Sequence, residues 1–105
     1  MPRFKRLRRD MLPVIWLETA LDDLGTITEY IAERNPSAAI RLNARLQEDA
    51  ELLGKLPVLF RRGPVEGSHQ FVSHPNYILI YQVTPNAVEI LNVVHARQEY
   101  PKVRP

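Results

Sequence analysis

The residues from Tyr77 to Gln98, YILIYQVTPNAVEILNVVHARQ, constrain the fold more than any other part of the chain. They read as two long β-strands joined at Pro85-Asn86 and running out into a polar, cationic exit. In Tyr77 to Val83 every position but Gln82 is apolar, with Tyr77, Leu79, Tyr81 and Val83 on one face and Ile78, Ile80 and Gln82 on the other. In Val88 to His95 one face carries Val88, Ile90, Asn92 and Val94, and the other Glu89, Leu91, Val93 and His95. Apolar groups on both sides are the pattern of strands at the centre of a sheet with helices on at least one face. A hairpin alone is not stable in water, so the earlier residues must supply its cover.

Leu12 to Leu17 holds the β-rich run Val14-Ile15-Trp16, placed to be a first strand. Thr19 is expected to cap a helix, with Asp22 acting as the acid of a capping box. Ala20, Leu21, Leu24, Ile27, Tyr30 and Ile31 then recur at helical spacing, and this helix should end near Arg34. Asn35-Pro36 is the clearest punctuation, because asparagine can cap a helix whose first residue is proline. Ala39, Leu42, Leu46, Ala50 and Leu53 form the apolar seam of that second helix, and Gly54 is expected to stop it. The short connection makes the helices an antiparallel hairpin. Beyond it, Leu56 to Pro64 reads as a loop or irregular strand, Ser68 to Val72 as the second strand, and His74-Pro75-Asn76 as a turn. The expected fold class is α+β: an antiparallel twisted β-sheet of order β-α-α-β-β-β, with a two-helix antiparallel hairpin packed on one face.

At 105 residues the chain suffices for one core, expected over residues 11–105 after a flexible basic extension at 1–10. No run is apolar enough to span a membrane, nothing resembles a secretory signal, and the lack of cysteine fits a cytoplasmic protein. The net charge of +2 hides an asymmetry. Residues 1–10 carry a net +4, residues 17–54 a net −5 with eight acids against Arg34, Arg41 and Arg45, and residues 55–105 a net +3. The acidic layer is a solvated helix surface, and the basic sheet half is the better candidate for an anionic partner.

In this order the chain resembles the ParE/RelE superfamily of type II toxin–antitoxin toxins, in particular its ParE-like branch. The resemblance runs from about Val14 to Pro101. It is carried by Trp16, Ala20-Leu21-Asp22-Asp23-Leu24, Tyr30-Ile31 and Asn35-Pro36-Ser37-Ala38-Ala39. The later carriers are Leu56-Pro57, Arg61, Gly63, Gly67-Ser68, Tyr77-Ile78-Leu79-Ile80-Tyr81 and Val93 to Gln98. Where relatives often have Gly-Thr-Arg-Glu, this chain has Gly67-Ser68-His69-Gln70, and Gln82 stands where many have arginine. Its cationic face is correspondingly thinner.

The resemblance implies a bacterial, cytoplasmic toxin neutralised by a cognate antitoxin of ParD or RelB type in a hetero-oligomer, as in plasmid-stabilisation systems. An amphipathic antitoxin segment would find anchors at Leu24, Ile31, Leu42, Leu46 and Leu53. ParE-like members imply inhibition of DNA gyrase through a protein–protein contact, for which Arg61, His69, Arg97 and Tyr100 are the candidate target-binding residues. RelE-like members imply ribosome-dependent cleavage of messenger RNA, which needs a base, an acid and cations around the scissile phosphate. For that route the candidates are Arg61, His69, Tyr81, His95 and Arg97, with no lysine between Lys55 and Lys102 to join them. The expectation leans towards a gyrase inhibitor that is not an enzyme. A degenerate toxin that only binds its antitoxin is the third reading. Three histidines without a completing ligand set suggest no metal, and no cofactor motif is present.

Overall fold

The computed structural model describes residues 11–55 and 62–97. The expected basic extension at 1–10, and the candidates Arg61 and Tyr100, lie outside them. The element order is β1 (Val14–Trp16), α1 (Glu18–Ala32), α2 (Pro36–Lys55), β2 (His69–His74), β3 (Tyr77–Val83) and β4 (Val88–His95). This is the expected α+β order, with α1 and α2 against one face of a four-stranded sheet.

The sheet order is β1-β4-β3-β2. β2, β3 and β4 form an antiparallel meander, but β1 lies parallel to β4, with Val14 opposite Val88 and Trp16 opposite Ile90. The sheet is therefore mixed, correcting the wholly antiparallel expectation. Tight turns dictate the direction of β2 to β4, whereas β1 reaches the sheet through the whole helical hairpin, so no local turn sets its polarity. Val88 N–H donates to Pro13 O at 2.9 Å and Leu17 N–H to Ile90 O at 3.0 Å, and there the short β1 ladder stops.

Beyond that point β4 contains a bulge. Ile80 pairs with Asn92 and Tyr81 with Ile90, so Leu91 has no counterpart. The even alternation expected for β4 thus breaks at Leu91. Val88 and Ile90 face the helices, and after the bulge it is Val93, not Asn92 or Val94, that joins the same core. α1 takes up the backbone groups involved. Thr19 Oγ1 donates to Leu91 O at 2.7 Å, and Asp23 Oδ2 accepts from Val93 N–H at 3.0 Å and from Asn92 Nδ2 at 2.9 Å. Thr19 is consequently not the helix cap. α1 begins at Glu18 behind an extended Leu17 whose side chain makes no cap.

A second irregularity sits in β2 between Val72 and His74, and its Ser73 hydroxyl donates to Asp49 on α2 at 2.5 Å. β2 therefore runs to His74 instead of ending at Val72. The Asn35-Pro36 expectation fits: Asn35 Oδ1 accepts from Ala38 N–H at 3.1 Å and starts α2. Gly54 does not stop α2. It lies inside the helix, buried, because a Cβ there would stand 2.5 Å from Leu12 O and 2.6 Å from Val14 Cγ2. The core gathers Ala20, Leu24, Leu42, Leu46, Ala50 and Leu53 of the helices against Leu79, Tyr81, Val88, Ile90 and Val93 of the sheet.

Candidate functional site

Two of the surfaces formed by the described residues bear on the expected contacts. The first is the end of the sheet where β3 starts and β4 finishes. Tyr77 pairs opposite His95, and their rings meet edge-on at 5.3 Å, while the His74 ring centroid lies 5.8 Å from that of Tyr77. His74 Nδ1 accepts from Asn76 N–H at 3.0 Å and His95 Nδ1 from Arg97 N–H at 3.1 Å. In the neutral imidazoles each proton therefore sits on Nε2, and each Nδ1 lone pair holds the turn that follows its own strand. Arg97 is exposed on the turn after β4. Between this end and α1 lies a cleft of about 400 Å³, bordered by Asp23, Tyr30, Tyr77 and His95. The Arg34 guanidinium stacks over the exposed Tyr30 ring at 5.4 Å.

The remaining described candidates for RNA chemistry are elsewhere. Tyr81 is fully buried and belongs to the core against the helices. His69 pairs opposite it, with ring centroids 5.8 Å apart and a buried Nδ1 that has no hydrogen-bond partner. His69 and Tyr81 are thus four positions along the sheet from the Tyr77–His95 pair. Four strand residues span roughly 13 Å, too far for one phosphate to be served by both groups. The geometry brings His95 and Arg97 together and keeps Tyr81 away from solvent.

The second surface is the outer groove between α1 and α2, of about 560 Å³. Leu21, Gly25 and Thr28 line it from α1, and Ala39, Ile40 and Asn43 from α2. Leu21 is 52% exposed and Ile40 71%, so the two walls carry large apolar side chains in water. This differs from the anchors expected along the hairpin. Leu24, Leu42, Leu46 and Leu53 are all buried, Leu46 completely, and Ile31 packs against the same core. The seam that gives each helix its amphipathic period is taken up by the sheet, so Leu42, Leu46 and Leu53 sit in the core, whereas Leu24 is buried but also lines the groove and Ile31 is half-buried at the core's edge. The apolar residues left for a partner lie at the seam's margin: Leu21 belongs to the stripe expected for the first helix yet stays in water, and Ile40 follows Ala39, one step off the second helix's seam, which was the signal available. On the solvent side of α1, Glu18, Asp22, Glu29 and Glu33 are exposed, with no basic residue from Glu18 to Ala32.

Among the described residues no helix is long and apolar enough to cross a membrane, and no three histidine or carboxylate groups converge to hold a metal ion.

Comparisons with known proteins agree in one direction. Residues 14–100 match the family described as ParE toxin of type II toxin-antitoxin system, parDE. A putative toxin, Y4kP, of Sinorhizobium fredii is 35% identical over 89 residues, covering 84% of this chain and 92% of the relative. Toxin RelE2 of Caulobacter vibrioides is 34% identical over 88 residues, covering 82% and 97%. In fold, the chain is similar to a chromosomal ParDE toxin–antitoxin system from P. aeruginosa, with a TM-score of 0.74 at 18% identity over 82% of this chain and 97% of that one. It is also similar to the RelBE2 toxin–antitoxin complex of Mycobacterium tuberculosis, with a TM-score of 0.59 at 23% identity, covering 84% and 94%.

Proposed function

This chain belongs to the ParE toxin family of type II toxin–antitoxin systems, and on that premise we propose that it inhibits DNA gyrase by binding it, without a hydrolytic step of its own. The observation that carries this reading is the scattering of the described RNA-cleaving candidates, His69, Tyr81, His95 and Arg97. A general acid must reach solvent and substrate. Tyr81 is sealed in the core, and His69 lies beside it, away from His95 and Arg97. What remains exposed at the sheet end, Arg97 with the Tyr77–His95 rings behind it, is an aromatic and cationic contact surface of the kind that anchors protein interfaces. Arg61, His69 and Tyr100 stay with Arg97 as proposed target contacts.

The partner that restrains the toxin is an antitoxin, and the groove between α1 and α2 supports a helical segment as its docking element. Its length on α1, from Leu21 to Ala32, accommodates about three helical turns. Exposed Leu21 and Ile40 would anchor the apolar face of that segment, and the acidic row on α1 favours a basic flank. Such a pair, acting in the bacterial cytoplasm where gyrase works, would stabilise the replicon that encodes it.

A RelE-like reading, ribosome-dependent cleavage of messenger RNA, is favoured by the relative named RelE2 and by the likeness to the RelBE2 complex. Supercoiling of relaxed plasmid by purified gyrase, with and without the antitoxin-free protein, separates the two. Inhibition relieved by antitoxin is the expected result. Full supercoiling together with codon-positioned cleavage of ribosome-bound message would overturn the proposal.

A further inference from the structure

Gly25 stands in the middle of α1, exposed, and a Cβ added to it would meet nothing within 4 Å. Nothing inside the fold therefore calls for glycine here, although glycine is the least favourable helix-interior residue after proline. Gly54 is the opposite case, since the backbone of Leu12 leaves no space for its Cβ. The side chain missing at Gly25 is missing from one particular place, the α1 wall of the interhelical groove.

Along that wall Leu21, Leu24, Gly25 and Thr28 follow each other at i, i+3, i+4 and i+7. Four residues so spaced form the hole into which a facing helix inserts one side chain. With only hydrogen at one corner, this hole is deeper than a hole of four ordinary residues. Its floor is the buried Leu24, and exposed Leu21 forms one rim. Its polar corner is already satisfied, because the Thr28 hydroxyl is turned back onto Leu24 O at 2.9 Å and Gly25 O at 3.2 Å. The hole thus suits a large apolar group. The exposed acids Asp22 and Glu29 lie about one turn before and one turn after Gly25 along the helix.

We infer that the antitoxin crosses α1 at Gly25 as an amphipathic helix, seating one large apolar side chain in the hole and turning basic residues towards Asp22 and Glu29, so that Gly25 decides which antitoxin this toxin accepts. The inference rests on the groove being the antitoxin site. Filling one corner of a close-packed hole rejects a partner by overlap, the repulsive half of specificity.

The test measures thermal stability and the Kd for the purified cognate antitoxin in three variants of the full-length toxin. Gly25→Ala should raise Tm by about 4–8 °C, yet weaken antitoxin binding about 5-fold or more, and Gly25→Leu should weaken it about 100-fold. Stability and binding would then move in opposite directions, which general damage to the fold cannot produce. Ile40→Asp, on the far wall of the groove, is the control for the site itself. Unchanged affinity in both Gly25 variants, alongside weakened binding by Ile40→Asp, would overturn the role of Gly25 and leave the groove as the antitoxin site. Unchanged affinity in all three would overturn the groove assignment with it. A lower Tm for Gly25→Ala would mean that the fold itself needs the glycine, and would also overturn the inference.

Discussion

Gly54→Ala is the substitution on which local and tertiary reasoning disagree most sharply. Alanine is favoured over glycine inside a helix by up to about 1 kcal/mol, so propensity alone predicts a more stable protein. The packing against β1 predicts the reverse. The new Cβ would stand 2.5 Å from Leu12 O and 2.6 Å from Val14 Cγ2, so one element must retreat by roughly 1 Å to reach ordinary contact. Leu12 is not free to retreat alone, because its N–H donates to Gly54 O at 2.8 Å. Overpacking of this kind costs about 1–3 kcal/mol, and weakening that hydrogen bond about 0.5–1.5 kcal/mol more. Set against the propensity gain, the net expectation is a loss of about 0.5–3.5 kcal/mol. For a domain of this size each kcal/mol lowers Tm by about 4–8 °C. Thermal and urea unfolding followed by circular dichroism measures the difference directly. A Tm equal to or above that of the parent protein would refute the close approach of α2 to the strand entry.

Three further outcomes are expected. Asp23→Ala strips the bulged end of β4 of the acceptor for Val93 N–H and Asn92, and should cost about 1–3 kcal/mol with faster amide exchange at Val93; unaltered exchange there would show that water replaces the carboxylate without loss. Tyr81→Phe should leave growth inhibition intact, since the ring is buried and its hydroxyl is out of reach of any substrate; a stable but non-toxic variant would restore the tyrosine as a candidate acid. Leu46→Ala should lower stability by about 2–5 kcal/mol while the folded fraction keeps its affinity for antitoxin, and a selective loss of that affinity at full stability would return Leu46 to the interface.

The strands β3 and β4 could be read from the chain with their bounds, because two-residue alternation and turn residues mark the same limits. The Asn35-Pro36 helix start was equally legible, its capping chemistry being contained within four residues. What escaped the sequence depends on partners far along the chain. Thr19 has the chemistry of a helix cap, but its hydroxyl finds Leu91 O, 72 residues away, and no local pattern announces that choice. Gly54 looks like a helix terminator until Leu12 is placed against it. The bulge at Leu91 is invisible to a periodicity count, which assigns alternate faces without knowing where the partner strand skips a residue. For the candidate site the difficulty was of another kind. An amphipathic stripe says which residues leave water, not what they meet, and here the sheet claims Leu42, Leu46 and Leu53 before any partner can.

The parallel pairing of the first strand with the last also governs when the toxin can come into being. Val14 has no strand to join until Val88 has been made, and α1 cannot engage the bulge until Leu91 and Val93 follow. At translation rates of about 5–20 residues per second, the chain from Val14 to Val88 takes roughly 4–15 s to synthesise. Throughout that time the first strand has no partner and the helical hairpin lacks most of the sheet it is shaped to cover. A product cut short before Val88 would lack the core contributions of Val88, Ile90 and Val93 and leave part of the helices' apolar seam in water, a target for proteolysis. A chain released by premature termination before Val88 therefore lacks the strand that ties the first strand into the sheet.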